Sequence, residues 1–262
     1  MKRLHLFEIH DQKWCPWTIR QAETEYLQFV IAKTKGYAAM VPVLAATLER
    51  TGARQVLDLC SGAGGPWPWL RPVLAKRGIN LSVCLTDKYP NVDALEQSSH
   101  VVDHGIRYHP QPVDAMRIGD ELAGFRTMFS SFHHFRPEQA RALLSDAVRR
   151  CEGIAIFEGT QHTGLAMLQM LMVPLMVLVT TPFIRPFRWS RLLWTYVIPL
   201  VPLVSLFDGL VSCLRTYSVQ ELRELVDGLD GNLYKWEAGE LKSKAGLSTI
   251  TYLFGVPIEQ PA

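Results

Sequence analysis

The spacing of apolar residues divides the chain into a helical start, a middle of short strands and a long apolar segment near the end. Up to residue 50, apolar side chains such as Tyr26, Phe29 and Val30 recur every three or four positions, which predicts amphipathic helices. From residue 54, short apolar runs alternate with polar or glycine-rich stretches. Five strands are expected, at residues 55–59, 81–85, 107–113, 127–130 and 153–157. Strands that alternate with helices predict a parallel sheet covered on both faces.

The stretch between the fourth and fifth predicted strands has the pattern of a surface helix. Pro137 suits its first turn, and its apolar face would consist of Ala140, Leu143, Leu144, Ala147 and Val148. Ser218 and Glu221 form a capping box that begins a later helix, and two strand-like runs, 232–241 and 247–256, follow it. Together these elements predict an α/β fold with a doubly wound, mostly parallel sheet of seven strands.

Length and composition favour one large domain with additions. A chain of 262 residues can bury its own core without disulfide help. We expect an N-terminal helical cap over residues 1–50 and the α/β domain over residues 51–262. Lys and Arg number 27 against 25 Asp and Glu, so the net charge of +2 gives no general attraction to nucleic acid. Five dispersed cysteines without a CxxC pair predict neither disulfides nor a metal site, and a polar N-terminus predicts a cytoplasmic protein.

A glycine-rich turn after the first predicted strand carries the candidate binding chemistry. The segment VLDLCSGAGG places Asp58 shortly before Gly62 and Gly64, and a helix follows. Glycines let the backbone approach a ligand closely, and a helix N-terminus presents free N–H groups and a positive dipole end. Asp87 ends the next strand, where a carboxylate can accept two hydrogen bonds from a ribose diol. This pattern predicts a nucleotide-like ligand.

These residues resemble the motifs of the class I S-adenosylmethionine-dependent methyltransferases. VLDLCSGAGG is similar to their first motif, LTD ending at Asp87 to the second, PVDA around Asp114 to the third, and FSSFHHF to the fourth. The resemblance covers residues 54–158 and implies the Rossmann-like fold of that family, with S-adenosylmethionine as cofactor. Cys60 stands where the family usually has a glycine, and Pro72 lies in the helix after the turn.

The resemblance also implies a role for each motif residue. Asp58 would orient the turn and a water at the methionine amino group, Asp87 would hold both ribose hydroxyls, and Asp114 would accept from the adenine amino group. Ser130 or Ser131 would line the sulfonium. The complete implied cofactor-binding set is Asp58, Cys60, Ser61, Gly62, Gly64, Asp87, Lys88, Asp114, Ala115, Ser130 and Ser131.

Candidates for the acceptor side follow the fourth predicted strand and also occur near the N-terminus. His133 and His134 lie where the binding edge of such a sheet opens, and a neutral imidazole there can act as a general base; packed or capping histidines are the alternative. Asp208 and Arg215 either form a buried pair that seats the neighbouring segment or contact a polar end of the substrate. The substrate-contact candidates are Glu8, Asp11, Trp14 and Arg215, with a surface turn around Trp14 as an equal alternative.

Residues 159–216 form an apolar insertion after the fifth predicted strand. Residues 159–184 and 192–207 contain no Asp, Glu, Lys or Arg. Three arrangements remain open: a transmembrane hairpin, a helix pair that dips into one leaflet with the arginines at 185, 188 and 191 near the headgroups, and a lid over the active site. The second is favoured and predicts contact with the cytoplasmic face of a membrane through residues 165–207.

The function expected from these features is methyl transfer to a small, lipophilic or membrane-resident acceptor. The fourth motif lacks the sequences typical of DNA and RNA methyltransferases in this family, so a nucleic-acid acceptor is less favoured and no nucleic-acid partner is expected. A further alternative is a non-catalytic, membrane-associated module that binds S-adenosylmethionine or a nucleotide.

Overall fold

One sheet of seven strands forms the centre of this computed structural model, which describes residues 3–90, 105–229, 233–242 and 249–258. In chain order the strands are β1 (Gln55–Asp58), β2 (Ser82–Leu85), β3 (Ile106–Tyr108), β4 (Phe125–Phe129), β5 (Ile154–Glu158), β6 (Tyr234–Lys242) and β7 (Thr249–Pro257). Their spatial order is β3-β2-β1-β4-β5-β7-β6. Strand β7 is antiparallel to β5 and β6, and the other pairs are parallel. The predicted mostly parallel sheet is confirmed.

Helices cover both faces of the sheet and form the cap and the insertion. They are α1 (Trp17–Thr34), α2 (Val41–Thr51), α3 (Trp67–Ala75), α4 (Pro137–Arg149), α5 (Gly164–Met170), α6 (Val173–Thr180), α7 (Trp189–Leu192), α8 (Leu200–Arg215) and α9 (Val219–Val226). Alternate strand residues face opposite layers. Val56 belongs to the core beneath α2 and α3, whereas Leu57 belongs to the core beneath α4 and α9.

Strand and helix bounds differ from the sequence-based expectation in a few places. Strand β3 ends at Tyr108 rather than near 113, because the chain then turns so that the Val113 N–H donates to the Asp87 carbonyl at 2.8 Å. Strand β4 begins two residues earlier than expected, at Phe125. Helix α4 buries four of its five predicted apolar residues, and Val148 is half-buried. The outer ends of the two closing strand-like runs, 232 and 247–248, lie outside the described residues.

The insertion is packed against α1 by one of its faces. A separate apolar core joins side chains of the cap with side chains of the insertion: Cys15, Ile19, Ala22, Tyr26, Val177, Ile184, Val201 and Val204. An ion-pair group lies beside this core, where Glu25 of α1 accepts from Arg188 at 2.9 Å and also from Arg191. Arg191 is 2% exposed and donates to the carbonyl oxygens of Ile184 and Pro186, both at 2.7 Å.

These contacts correct the expectation for the arginines of the insertion. Arg188 and Arg191 attach the insertion to the cap through Glu25, so they do not face headgroups. Arg185 is exposed, and its guanidinium donates to the Pro182 carbonyl at 3.3 Å.

The other side of the insertion is exposed and strongly apolar, and we call it the apolar face. Its large exposed side chains are Leu165, Leu168, Leu171, Met172, Leu175, Met176, Val179, Phe183, Phe187, Trp189, Leu193, Tyr196, Val197, Ile198, Leu200, Leu203 and Phe207. Soluble monomers rarely expose a contiguous apolar patch of this extent, and such patches mark contact sites for proteins or membranes.

One helix among the described residues, 164–183, is long and apolar enough to cross a membrane, and 17% of its most apolar window is buried. Two bent helix pairs meet the same criteria only if each is counted as one span: 17–34 with 38–51, bent by 59°, and 189–197 with 200–215, bent by 78°. A bend of 78° does not match the second arm of a straight transmembrane hairpin.

Candidate active site

The glycine turn lies at the carboxyl end of β1, next to the ends of β2 and β4. The Asp58 carboxylate is buried and accepts from the Thr127 hydroxyl at 2.5 Å. The Ser61 and Thr86 hydroxyls both donate to the Asp58 carbonyl, at 2.9 and 2.8 Å. Burial raises the pKa of Asp58 to about 6, although hydrogen bonds from Ser61 and Thr127 oppose that rise. Asp58 therefore anchors the turn through its hydrogen bonds with Ser61 and Thr127.

Four residues of the turn adopt the left-handed backbone region. The φ angles are 55° at Cys60, 55° at Gly62, 104° at Gly64 and 52° at Gly65. Cys60 thus keeps the conformation for which a glycine would be the usual residue. Burial raises the pKa of the Cys60 thiol well above its usual range, and the nearby charge of Asp87 adds to this rise. The thiol is therefore neutral and unsuited to act as a nucleophile.

Asp87 connects the end of β2 to the glycine turn. One carboxylate oxygen accepts the Gly62 N–H at 2.8 Å, and the other accepts the Tyr89 N–H at 2.8 Å. Because a carboxylate oxygen can accept two hydrogen bonds, each oxygen retains capacity for one hydroxyl of a diol. Two backbone N–H groups therefore hold the Asp87 carboxylate beside the turn.

The third motif lies at the rim of the same edge. Asp114 accepts the Met116 N–H at 3.0 Å with one oxygen and the Lys88 ammonium at 3.0 Å with the other. The Lys88 and Asp114 side chains are 56% and 41% exposed, and an ion pair so exposed to water contributes little stability. A ligand amino group can therefore replace Lys88 on Asp114. Ala115 is buried in the core beneath this rim.

The two serines of the fourth motif have different surroundings. The Ser130 hydroxyl lies 2.6 Å from the Tyr37 hydroxyl and accepts the Gly159 N–H at 2.9 Å. Ser131 is buried, and its hydroxyl has no hydrogen-bond partner within the described ranges. A buried hydroxyl without a partner indicates a ligand or water partner. The Ser131 hydroxyl can thus still accept a ligand or water partner, whereas the Ser130 hydroxyl already contacts Tyr37 and Gly159.

Helix α1 covers the glycine turn from above. The Gln28 amide donates to the Gly65 carbonyl at 3.0 Å, and a Cβ on Gly62 would lie 3.3 Å from the Thr24 methyl group. The Arg20 guanidinium lies 4.0 Å from the centre of the Tyr89 ring and also donates to the His10 carbonyl at 2.8 Å. The cap therefore connects the cofactor edge to the N-terminal segment.

Most of the predicted acceptor-side residues meet in one place, which we call the acid–histidine cluster. It is formed by Glu8, Asp11, His133, His134, Glu158 and Arg215. The N-terminal segment, the turn after β4, the end of β5 and the end of α8 each contribute to it. The predicted contact residue Trp14 is 65% exposed and is not part of the cluster.

Arg215 holds the cluster together. Its guanidinium lies 3.1 Å from a Glu8 oxygen and 3.3 Å from an Asp11 oxygen. It also donates to the carbonyl oxygens of His133 at 3.1 Å and His134 at 2.7 Å. A pair with Asp208 was one expectation for Arg215, and it is wrong: Asp208 instead accepts the N–H groups of Ile9 and His10.

Solved structures with the same architecture decide the fold. Human N-acetylserotonin methyltransferase, solved with S-adenosylmethionine, matches with a TM-score of 0.51 and 14% identity, over 92% of this chain and 58% of that one. The plantazolicin methyltransferase BpumL, solved with S-adenosylhomocysteine, matches with a TM-score of 0.51 and 9% identity, over 92% of this chain and 98% of that one. The chain has the class I methyltransferase fold. No family model and no curated protein sequence matches it.

Within this methyltransferase fold, the buried His133 ring is held by Glu158, whose carboxylate lies 2.7 Å from Nδ1. Burial alone would lower the pKa of His133, but the charge and hydrogen bond of Glu158, together with Glu8, raise it to about 9. His134 is 19% exposed, with its Nδ1 atom 2.8 Å from Asp11. A role of His133 or His134 as a general base stays a prediction.

Several residues that shape the site were missed in the sequence. Glu158 accepts the N–H groups of Phe132 and His133 at 2.8 and 3.1 Å. As the last residue of a buried strand next to β4, it stands where parallel strands place functional side chains, and that position was the usable signal. Tyr37 gave no such signal, because its contact with Ser130 joins segments 93 residues apart.

The left-handed conformation of Cys60 leads to a stability prediction. Cys60→Gly should change the free energy of unfolding by less than about 1 kcal/mol, whereas Cys60→Val should cost about 2 kcal/mol, because a β-branched side chain is strained at positive φ. Urea unfolding of both variants checks this. Equal stability of the Val and Gly variants would contradict the assigned backbone conformation.

Proposed function

We propose that the protein is an S-adenosylmethionine-dependent methyltransferase that acts on a small lipophilic acceptor at the cytoplasmic face of a membrane. The proposal depends most on Asp87, whose carboxylate accepts the Gly62 N–H at 2.8 Å. This contact lies at the carboxyl end of the parallel strands, where open α/β sheets bind ligands. S-adenosylmethionine supplies a methyl group bound to a positively charged sulfur.

The donor set around the turn suits that cofactor. Asp87 has capacity for a diol, Asp114 can exchange Lys88 for an amino group, and the buried Ser131 hydroxyl has no partner among the residues that the structure describes. Four carboxylates lie close enough to raise the pKa of the Cys60 thiol beyond the effect of burial: Asp87, Asp11, Asp58 and Asp114. This concentration of negative charge favours a ligand that carries positive charge.

Methyl transfer requires the acceptor atom to approach in line with the sulfonium, with water excluded. Positioning supplies most of the acceleration in such reactions. Helix α1 covers the turn, and the acid–histidine cluster closes the neighbouring side with Glu8, His133, Glu158 and Arg215 all almost fully buried. These residues can exclude water and fix the polar end of an acceptor.

Calorimetric titration with S-adenosylhomocysteine tests the cofactor assignment. We expect saturable binding of one ligand per chain. Absence of binding at millimolar ligand would defeat the proposal. Binding without any methylated product would instead support the non-catalytic module that the sequence also allowed.

The membrane part of the proposal rests on the apolar face. The exposed N-terminal side chains Leu4, Leu6 and Phe7 extend this surface, and the Phe7 and Phe207 ring centres lie 5.7 Å apart. Phe7 directly precedes Glu8 of the acid–histidine cluster. A lipophilic molecule dissolved in a bilayer could therefore reach the cluster along the apolar face, with Arg185 exposed beside lipid phosphates.

Flotation with anionic phospholipid vesicles tests this docking. The triple variant Leu168→Ser, Phe183→Ser and Trp189→Ser should bind vesicles about 100-fold more weakly, because each lost apolar side chain removes at least about 1 kcal/mol of burial. The matched control is Leu233→Ser with Ile258→Ser, which removes exposed apolar residues outside the insertion. It should bind like the unaltered protein. Protein that stays in the buffer, or that forms dimers through the apolar face, would overturn the membrane assignment.

A further inference from the structure

Two buried polar atoms of the acid–histidine cluster have no hydrogen-bond partner in the ranges described. They are Nε2 of His133 and Oε2 of Glu8, on side chains that are 2% and 0% exposed. Burying such atoms unpaired is costly, so a native structure normally supplies a partner.

The two histidines of the cluster are oriented in the same manner. His133 Nδ1 lies 2.7 Å from Glu158 Oε2, and His134 Nδ1 lies 2.8 Å from Asp11 Oδ2. A carboxylate that accepts from Nδ1 leaves the Nε2 lone pair of a neutral imidazole free to bind a metal ion. The chain thus presents two imidazoles in the arrangement that metal-binding histidines commonly have.

Both Nε2 atoms face the same carboxylate. His133 Nε2 lies 3.5 Å from Glu8 Oε1, and His134 Nε2 lies 3.6 Å from Glu8 Oε2. These separations are long for hydrogen bonds. The 3.6 Å between His134 Nε2 and Glu8 Oε2 is close to the distance of about 3.3 Å between two ligands that each lie about 2.0 Å from one tetrahedral ion.

We propose that Glu8, His133 and His134 bind one divalent transition-metal ion of the zinc class. The three ligand atoms lie within 4.8 Å of one another. Two imidazoles and one carboxylate form a ligand set that holds zinc in enzymes and leaves a coordination position for water or a substrate oxygen. The site does not depend on methyl transfer, because none of its ligands belongs to the cofactor-binding set.

The charges of the cluster agree with this occupant. Glu8, Asp11 and Glu158 carry three negative charges against the single positive charge of Arg215. If both imidazoles are neutral, one divalent cation balances the two negative charges that remain. The Arg215 guanidinium contacts Oε1 of Glu8, so Oε2 remains available to the ion. Protons on the two rings would also balance the charge, but the Nε2 atoms would then face the Glu8 oxygens at 3.5 and 3.6 Å, longer than ordinary hydrogen bonds.

Two neighbouring groups of possible ligands are less suitable. His10, Asp11 and His134 form one, and His10, Glu23 and Asp208 form the other. In the first, an Asp11 oxygen already holds His134 Nδ1 at 2.8 Å. In the second, Asp208 is engaged by the His10 ring at 2.9 Å and by two backbone N–H groups.

Sequence spacing predicted no metal site, because the ligands come from segments about 125 residues apart. Metal motifs are recognised when ligands follow one another within a short segment. Here Glu8 reaches the two adjacent histidines only because α8 and Arg215 hold the N-terminal segment against the turn after β4.

The test measures metal content of the full chain. Protein stripped with a chelator and dialysed against zinc chloride should contain one zinc per chain by plasma mass spectrometry. Cobalt(II) in its place should give the visible absorption of a tetrahedral site. Glu8→Gln and His134→Ala should lose stoichiometric binding, and Glu158→Gln should weaken it about 10- to 100-fold. The control His109→Gln, in a histidine remote from the cluster, should retain one zinc.

Two results would overturn the metal proposal. One is a well-folded unaltered chain with no stoichiometric zinc or cobalt, and the other is equal metal binding by the ligand variants and His109→Gln. The unaltered chain decides the question even where a ligand variant fails to fold. S-adenosylhomocysteine binding by metal-free protein separates the two proposals, because either can fail while the other holds.

Discussion

Asp87→Ala should weaken S-adenosylhomocysteine binding by at least about 100-fold. The substitution removes a charged acceptor for two hydroxyl groups, and hydrogen bonds to charged groups contribute about 1.5–3 kcal/mol each. It also removes the acceptor that holds the Gly62 N–H at 2.8 Å, so the turn itself loses a contact. Calorimetric titration of the variant measures the loss directly.

Two further variants separate a ligand contact from a structural effect. Asp87→Asn keeps an oxygen for the Gly62 N–H but loses the charge, so its affinity should fall between those of the alanine variant and the unaltered chain. Asp120→Ala removes a fully exposed aspartate that pairs with Arg150, and it should bind normally. Normal binding by Asp87→Ala would place the ligand elsewhere.

Glu25→Leu should lower the free energy of unfolding by about 3–5 kcal/mol. The Arg191 guanidinium is 2% exposed, and losing its counter-charge leaves a buried unpaired cation, which costs about that amount. Because Arg188 also pairs with Glu25 at 2.9 Å, the substitution removes both ion pairs that Glu25 makes with the insertion. Urea unfolding followed by circular dichroism measures the change.

The double variant Glu25→Leu with Arg191→Met gives the control. An apolar pair of similar volume commonly replaces a buried ion pair at little cost. We therefore expect the double variant to recover only part of the lost stability, because Arg188 still lacks Glu25 and the Ile184 and Pro186 carbonyl oxygens lose the Arg191 donor. A single variant as stable as the unaltered chain would contradict the described packing of the insertion on the cap.

The sheet and the cofactor edge could be predicted because their signals are local. A strand, a glycine turn and an acid at the next strand end occur within short segments, so Asp58, Gly62 and Asp87 could be placed from spacing alone. In the structure the Asp87 carboxylate accepts the Gly62 N–H at 2.8 Å, and its role towards a ligand stays a prediction. Cys60 has a left-handed backbone, and it stands where the methyltransferase family that the sequence resembles usually has a glycine.

The acid–histidine cluster could be predicted only in part, because its contacts join distant segments. Glu8, Asp11 and Arg215 were candidates by residue type, but the contacts among them depend on how α8 crosses the N-terminal segment. The pairing of Arg188 and Arg191 with Glu25 has the same origin, since the contacts span 163 and 166 residues. Residue type identifies such groups, and only the packing assigns their partners.

The most direct test of the proposed function follows the methyl group itself. Purified protein is incubated with S-adenosylmethionine labelled in the methyl group and with phospholipid vesicles that carry a cellular lipid extract. We expect label in the organic phase that depends on the protein and is absent with Asp87→Ala. Label that stays entirely in the aqueous phase, with a protein that binds both S-adenosylhomocysteine and the vesicles, would contradict methyl transfer to a lipophilic acceptor.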